Sequence, residues 1–162
     1  MGVHELSAVL WRERELLELL LFKLEEEQLL LTAGKTRWLP FATREVEQVL
    51  ERLRQSSLER SVEVAAVALE WGTNEDATLR ELISFAPSAA WKDNFTSHLQ
   101  ALSELASAIA SLRDSNLTYL RAASRSAQET LAQFSTDGGG TYDATGSSGR
   151  TPGRAQFFDG EA

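Results

Sequence analysis

The chain has 162 residues, enough for one helical core, and carries 16 basic against 24 acidic residues for a net charge of −8. Phosphate binding relies on concentrated Lys and Arg, so an acidic chain with no basic cluster excludes nucleic acid as a partner. The absence of Cys excludes disulfides and thiolate chemistry. Near the N-terminus the longest clean apolar run is Leu19 to Phe22, far short of the roughly 20 residues that span a bilayer, and no basic n-region precedes it. The chain therefore reads as soluble and cytoplasmic, with no membrane insertion.

Residues 3 to 32 read as a first helix. Leu6, Leu10, Leu17, Leu20, Leu24 and Leu31 form a stripe, widened by Leu16, Leu19, Phe22 and Leu30. Glu13, Glu15, Glu18, Glu25 and Glu26 fall mainly outside it, the pattern of a helix inside a bundle. Gly34 is placed to terminate the helix and Pro40 to sit in the first turn of the next, with a short connection containing Trp38 between them. A second helix from about residue 41 to Trp71 is expected to bury Val46, Val49, Leu50, Leu53, Leu58, Val62, Ala65, Ala66 and Leu69, making a long hairpin with the first. Thr73-x-x-Asp76 resembles a capping box, and Pro87 stops or kinks the chain. Between them lies either an independent short helix or a bent extension of the second.

From residue 88 to 134 one uninterrupted helix is expected, about 70 Å long at 1.5 Å per residue. Trp91, Phe95, His98, Leu102, Leu105, Ile109, Leu112, Asn116, Tyr119, Ala123, Ala127, Thr130 and Phe134 recur at alternating steps of four and three, the repeat of a helix seam. Its first part reads as bundle core. After Asn116, a polar amide suited to fixing register, the seam residues become smaller and more amphipathic, as in a shallow groove open to another helix. At residue 135 the composition changes to Gly, Ser and Thr, with little to bury in return for ordering the backbone. The sequence thus divides into a helical bundle domain, 1–134, and a Gly/Ser-rich flexible tail, 135–162. The fold class is all-α: an elongated antiparallel helical bundle or coiled-coil hairpin with one long C-terminal helix and a disordered tail.

No catalytic constellation emerges. His4 and His98 form no metal-binding spacing, His98 reads as a polar residue within the seam, and Glu25-Glu26-Glu27 reads as a solvated face because consecutive helical residues point apart. Gly138-Gly139-Gly140 lacks the lysine and preceding strand of a phosphate loop. No enzyme activity, metal or cofactor is expected. Trp11, Trp38 and Trp71 read as core or end-packing residues, and Trp91 as either packing or partner-facing.

The chain resembles the flagellar export chaperones of the FlgN type. The resemblance lies in Leu16-Leu17-Glu18-Leu19-Leu20-Leu21-Phe22-Lys23-Leu24-Glu25-Glu26-Glu27, the short Trp38-containing turn, Asn116-x-x-x-Leu120, and Thr141-Tyr142-Asp143-Ala144-x-Gly146. It implies an all-helical, non-enzymatic protein that binds the C-terminal helical segment of hook-associated flagellar proteins and delivers it to the export gate. The partner-binding surface it implies comprises Leu112, Tyr119, Leu120, Ala123, Ala127, Leu131 and Phe134, to which the seam amide Asn116 is added. Tyr119 and Tyr142 are both candidates for docking to the gate. The alternative is a self-associating structural or adaptor coiled coil, with the long helix paired to its own copy as a homodimer.

Overall fold

The computed structural model describes residues 2–138, and among them every regular element is helical. The elements are α1 (Val3–Thr32), a 3-10 turn (Thr36–Trp38), α2 (Leu39–Glu70), α3 (Leu79–Ser84) and α4 (Ala89–Gly138). The chain divides into two compact units, Met1–Leu120 and Arg121–Ala162. Among the described residues no helix is long and apolar enough to cross a membrane.

Both helices of the hairpin end as their glycines dictate. Gly34 and Gly72 take φ of 67° and 75°, the left-handed conformation that costs a glycine nothing. At the first end Lys35 N–H donates to Leu30 O and Gly34 N–H to Leu31 O; at the second, Thr73 N–H donates to Ala68 O and Gly72 N–H to Leu69 O. This paired arrangement satisfies carbonyls that a helix end otherwise leaves open. Pro40 lies in the first turn of α2, where its missing N–H leaves no bond unmade. The segment before Pro87 is an independent helix, α3. Its capping box is Thr78 with Glu81, not Thr73 with Asp76: Glu81 N–H donates to Thr78 Oγ1, and Thr78 N–H donates to the Glu81 carboxylate at 2.7 Å. A glutamate reaches back to the cap backbone more readily than the shorter aspartate. Ser88 then caps α4, its hydroxyl accepting from Trp91 N–H.

In the first unit α1, α2 and the early part of α4 form an up-down-up bundle with two apolar clusters. Leu6 and Leu10 of α1 meet Val64, Val67 and Ala68 of α2, Leu82 of α3, and Phe95 and Leu102 of α4. Further along, Leu20 and Leu24 meet Val46 and Val49, flanked by Leu53, Ile109 and Leu112. The low-to-high pairing of α1 with α2 makes them antiparallel, and the α4 partners climb in step with α1. Trp91 is half-buried, stacked on Phe95 with ring centroids 5.6 Å apart, with His4 edge-on at 4.9 Å.

Between the clusters lies a polar layer. Glu13 is buried on α1 and accepts from Arg60 of α2 at 2.7 Å, with Ser56 buried one turn from Arg60 on α2; His98 of α4 is buried alongside the first cluster, between Phe95 and Leu102. Glu13 therefore belongs to the inward stripe, and Glu27 does too: it accepts from Thr43 Oγ1 and from Asn116 and is not part of a solvated face. On α2 the inward seam runs Val46, Val49, Leu53, Ser56, Arg60, Val64 and Val67 at steps of three and four. Leu50, Leu58, Val62 and Leu69, expected in the core, are exposed instead. Leu58, Val62 and Leu69 lie on the opposite face of the helix, since at 3.6 residues per turn they fall about half a turn from that seam.

The second unit's described part, residues 121–138, is helical throughout. The helix continues past Phe134 to Gly138, with Ser135 and Thr136 hydroxyls donating to the carbonyls of Leu131 and Ala132, each at 2.9 Å. Such back-bonding lets small polar residues remain within a helix. The remainder of the expected tail, including Tyr142, Phe157 and Phe158, lies outside the described residues.

Leu20→Ala is expected to destabilise the protein by about 2–5 kcal/mol through loss of apolar contact and an unfilled cavity. Leu58→Ala, on the exposed face, is expected to shift stability by no more than about 0.5 kcal/mol. Urea unfolding followed by circular dichroism measures both, and equal midpoints for the two variants would contradict the assignment of the core.

Candidate functional site

The residues expected to meet a partner fall into two groups. In the first unit the later α4 residues mostly fasten the bundle. Leu112 packs half-buried against the second apolar cluster. Asn116 is only 2% exposed and donates from Nδ2 to Leu24 O at 2.9 Å and to Glu27 Oε1 at 3.2 Å. The Leu24 carbonyl is a main-chain acceptor and Glu27 a buried carboxylate, so the amide satisfies both while joining α4 to α1. Asn116 thus acts within the fold as a register key, and its side chain is not presented to a partner. Leu120 is half-buried, while Tyr119 and Leu117 are exposed. Leu117 was not singled out from the sequence because it falls outside the seam through Asn116 and Tyr119.

In the second unit the side chains of residues 121–137 are all exposed. Ala123, Ala127, Leu131 and Phe134 share one side of their helix, within an arc of roughly 80° at 3.6 residues per turn. Leu131 is 66% and Phe134 72% exposed. Arg121, Arg125 and Glu129 supply charge on the same segment. The result is an apolar strip with a polar margin, chemistry suited to an amphipathic helix and unsuited to bond-making. Tyr142 lies outside the described residues.

The early bundle holds a second feature, an open groove of about 1060 Å³ between α2 and α4 with α1 beneath it. No motif in the sequence points to it, because its walls are ordinary core-type residues and its polar floor sits at seam positions. His98 lies nearby but is not a free acid or base. It is buried edge-on to Trp11 with ring centroids 4.9 Å apart, and Arg14 Nη1 lies 3.5 Å from its Nδ1. Burial, reinforced by the Arg14 charge, pushes its pKa below the usual 6.5. Among the described residues no group of three or more His, Asp or Glu is placed to hold a metal ion.

The family model described as FlgN protein matches residues 1–150 of the chain. No curated protein and no solved structure matches it.

Removing the Asn116 amide leaves Glu27 buried with one partner fewer, so Asn116→Ala is expected to cost roughly 1–3 kcal/mol in urea unfolding. An unchanged midpoint would show that the amide does not secure α4. For His98 the lowered folded-state pKa means that the unfolded chain binds more protons just below pH 6.5. Stability should therefore fall as pH drops through that window and recover above it. His98→Gln should flatten this slope, and a slope that persists unchanged in the variant would assign it to other groups.

Proposed function

The chain belongs to the FlgN family, whose members are cytoplasmic, non-catalytic chaperones that bind flagellar export substrates, and we propose that it holds the C-terminal helical segment of a hook-associated flagellar protein and delivers it to the export gate. The observation that carries this reading is the apolar strip of residues 121–138, where Leu131 and Phe134 stand open to solvent without neighbouring side chains to bury them. A hook-associated protein that later assembles must carry apolar helix surface of its own. Covering that surface during transit prevents premature association, and a strip with two large anchors among alanines gives an interface that releases its cargo.

On this reading Ala123, Ala127, Leu131 and Phe134 contact the substrate helix, with the exposed Tyr119 and the half-buried Leu112 and Leu120 contributing from earlier in α4. Asn116 supports them by holding α4 against α1. Docking to the gate is assigned to a tyrosine, Tyr119 or Tyr142; Tyr119 presents its ring at the surface. A second copy of the chain would cover the same strip in the self-associating alternative.

Isothermal titration of the full chain against the C-terminal helical segment of a hook-associated protein tests the proposal. Leu131→Asp combined with Phe134→Asp is expected to weaken binding by roughly tenfold or more, as for the loss of two apolar anchors, with the far-ultraviolet spectrum unchanged because both side chains are exposed. Absence of binding by the folded native chain overturns the proposal. Sedimentation of the same samples separates the two readings: obligate dimers that the double variant dissociates would favour self-association.

A further inference from the structure

The hairpin of α1 and α2 closes on an apolar tip that the described residues of the Met1–Leu120 unit leave uncovered. Leu29 is 69%, Trp38 49% and Phe41 57% exposed, and the three line one shallow recess of about 380 Å³ with Leu30 and Ala42. Trp38 and Phe41 lie against each other with ring centroids 5.9 Å apart, yet that contact leaves both half in water. Large apolar side chains gathered at an exposed end mark a surface that meets something else.

The charge at this tip is opposite to that of the chain as a whole. Residues 28–44 are the longest stretch without a carboxylate in a chain of net charge −8, and they hold three cations, Lys35, Arg37 and Arg44. Two of these lie against the rings: the Arg37 guanidinium is 4.9 Å from the centre of Trp38, and that of Arg44 is 6.0 Å from the centre of Phe41. Of the nearest carboxylates, Glu27 is buried and held by Thr43 and Asn116. Glu26 and Glu45 stand six residues back from the helix ends, about 9 Å at 1.5 Å per residue, and both bind Lys23, at 3.4 and 2.9 Å. The end of the hairpin is thus cationic and apolar, and the shaft behind it is acidic.

We propose that this tip docks on an anionic lipid surface, with Leu29, Trp38 and Phe41 entering the headgroup layer and Lys35, Arg37 and Arg44 paired with lipid phosphates. Tryptophan rings favour the boundary between membrane and water, and Lys and Arg beside them add attraction to an anionic leaflet. The contact is peripheral, since no described helix is long and apolar enough to cross a membrane. A partner helix is the poorer occupant, because it lies in a groove between walls, whereas residues 32–38 form a turn in which every side chain is exposed. A lipid surface needs only a protruding end. The acidic shaft is repelled by the same leaflet, and that repulsion fades beyond about 10 Å at 0.1 M salt, so the hairpin meets the surface tip first. Two tips facing each other would set three cations against three, which opposes a symmetric dimer at this site. The proposal does not rest on the substrate assignment made for residues 121–138.

Flotation of the full chain with vesicles of phosphatidylglycerol and phosphatidylcholine in equal parts tests the proposal, with vesicles of phosphatidylcholine alone as the reference. The native chain is expected to float with the anionic vesicles only, and to be released as salt is raised. Lys35→Gln, Arg37→Gln and Arg44→Gln together should weaken partition by roughly a hundredfold, at about fivefold per cation. Trp38→Ala with Phe41→Ala should weaken it by roughly tenfold or more. Both variants should keep the native far-ultraviolet spectrum, because the replaced side chains are exposed. The variant carrying Leu131→Asp and Phe134→Asp should float as the native chain does, even where it has lost the flagellar substrate. Sedimentation without lipid should give the same result for the native chain and the Trp38/Phe41 variant. No flotation with anionic vesicles, equal flotation with both lipids, partition that survives either tip variant, or partition lost in the Leu131/Phe134 variant would each overturn the proposal. So would self-association of the native chain that the Trp38/Phe41 variant abolishes, which would give the tip to the Leu58 and Val62 face or the Leu131 and Phe134 strip of a second copy.

Discussion

The bundle depends on burying charge at its middle level. α1 and α2 contribute polar residues to one layer, Glu13 from α1 and Ser56 and Arg60 from α2, while His98 of α4 is buried alongside the first cluster, between Phe95 and Leu102. A carboxylate inside apolar packing is tolerated only where a partner meets it, and the 2.7 Å bond from Arg60 meets one oxygen of Glu13. Sliding α1 along α2 by one turn would separate that pair and place Glu13 among aliphatic side chains. The apolar clusters on either side would tolerate such a slide far better, because leucines and valines are interchangeable contacts. The layer therefore determines register, while the clusters supply most of the cohesion. Fourteen residues further along α1, two heptads on, Glu27 repeats the device with Thr43 and Asn116.

This arrangement explains which parts of the fold were legible in the sequence. The extent of α1, the glycine that ends each hairpin helix and the proline that opens α2 could be read directly, because each rests on local backbone chemistry. The long seam of α4 was legible because its apolar repeat persists through Phe95, Leu102 and Ile109. The inward face of α2 was not, since its repeat is broken at Ser56 and Arg60, the residues that build the polar layer. Hydrophobicity alone then favours Leu58 and Val62 on the other side of the helix. Glu13 and Glu27 were missed for the same reason: a buried carboxylate is recognisable only with its partner, and Arg60 and Asn116 lie 47 and 89 residues away.

For the candidate site, a change of character after Asn116 was legible in the sequence, but not that the helix is packed before it and exposed beyond it. Leu112 and Asn116 look like members of the same seam as Ala127 and Phe134. Only the packing shows that the earlier pair attaches α4 to α1, whereas the later residues retain exposed apolar surface.

A carrier that must release its cargo cannot obtain its own stability from the surface it offers. Here the two apolar clusters and the paired polar layer supply cohesion within Met1–Leu120, so the exposed residues of 121–138 are free to be apolar without serving as core. The cost of such a strip is exposure of Leu131 and Phe134 to water. Interspersed alanines keep that exposure small, and the charged residues along the segment, with the chain's net charge of −8, oppose indiscriminate association. On the proposed assignment, affinity concentrated in Leu131 and Phe134 has a further consequence: separation of those two contacts would remove most of the attraction, so handover would need no unfolding of the chaperone.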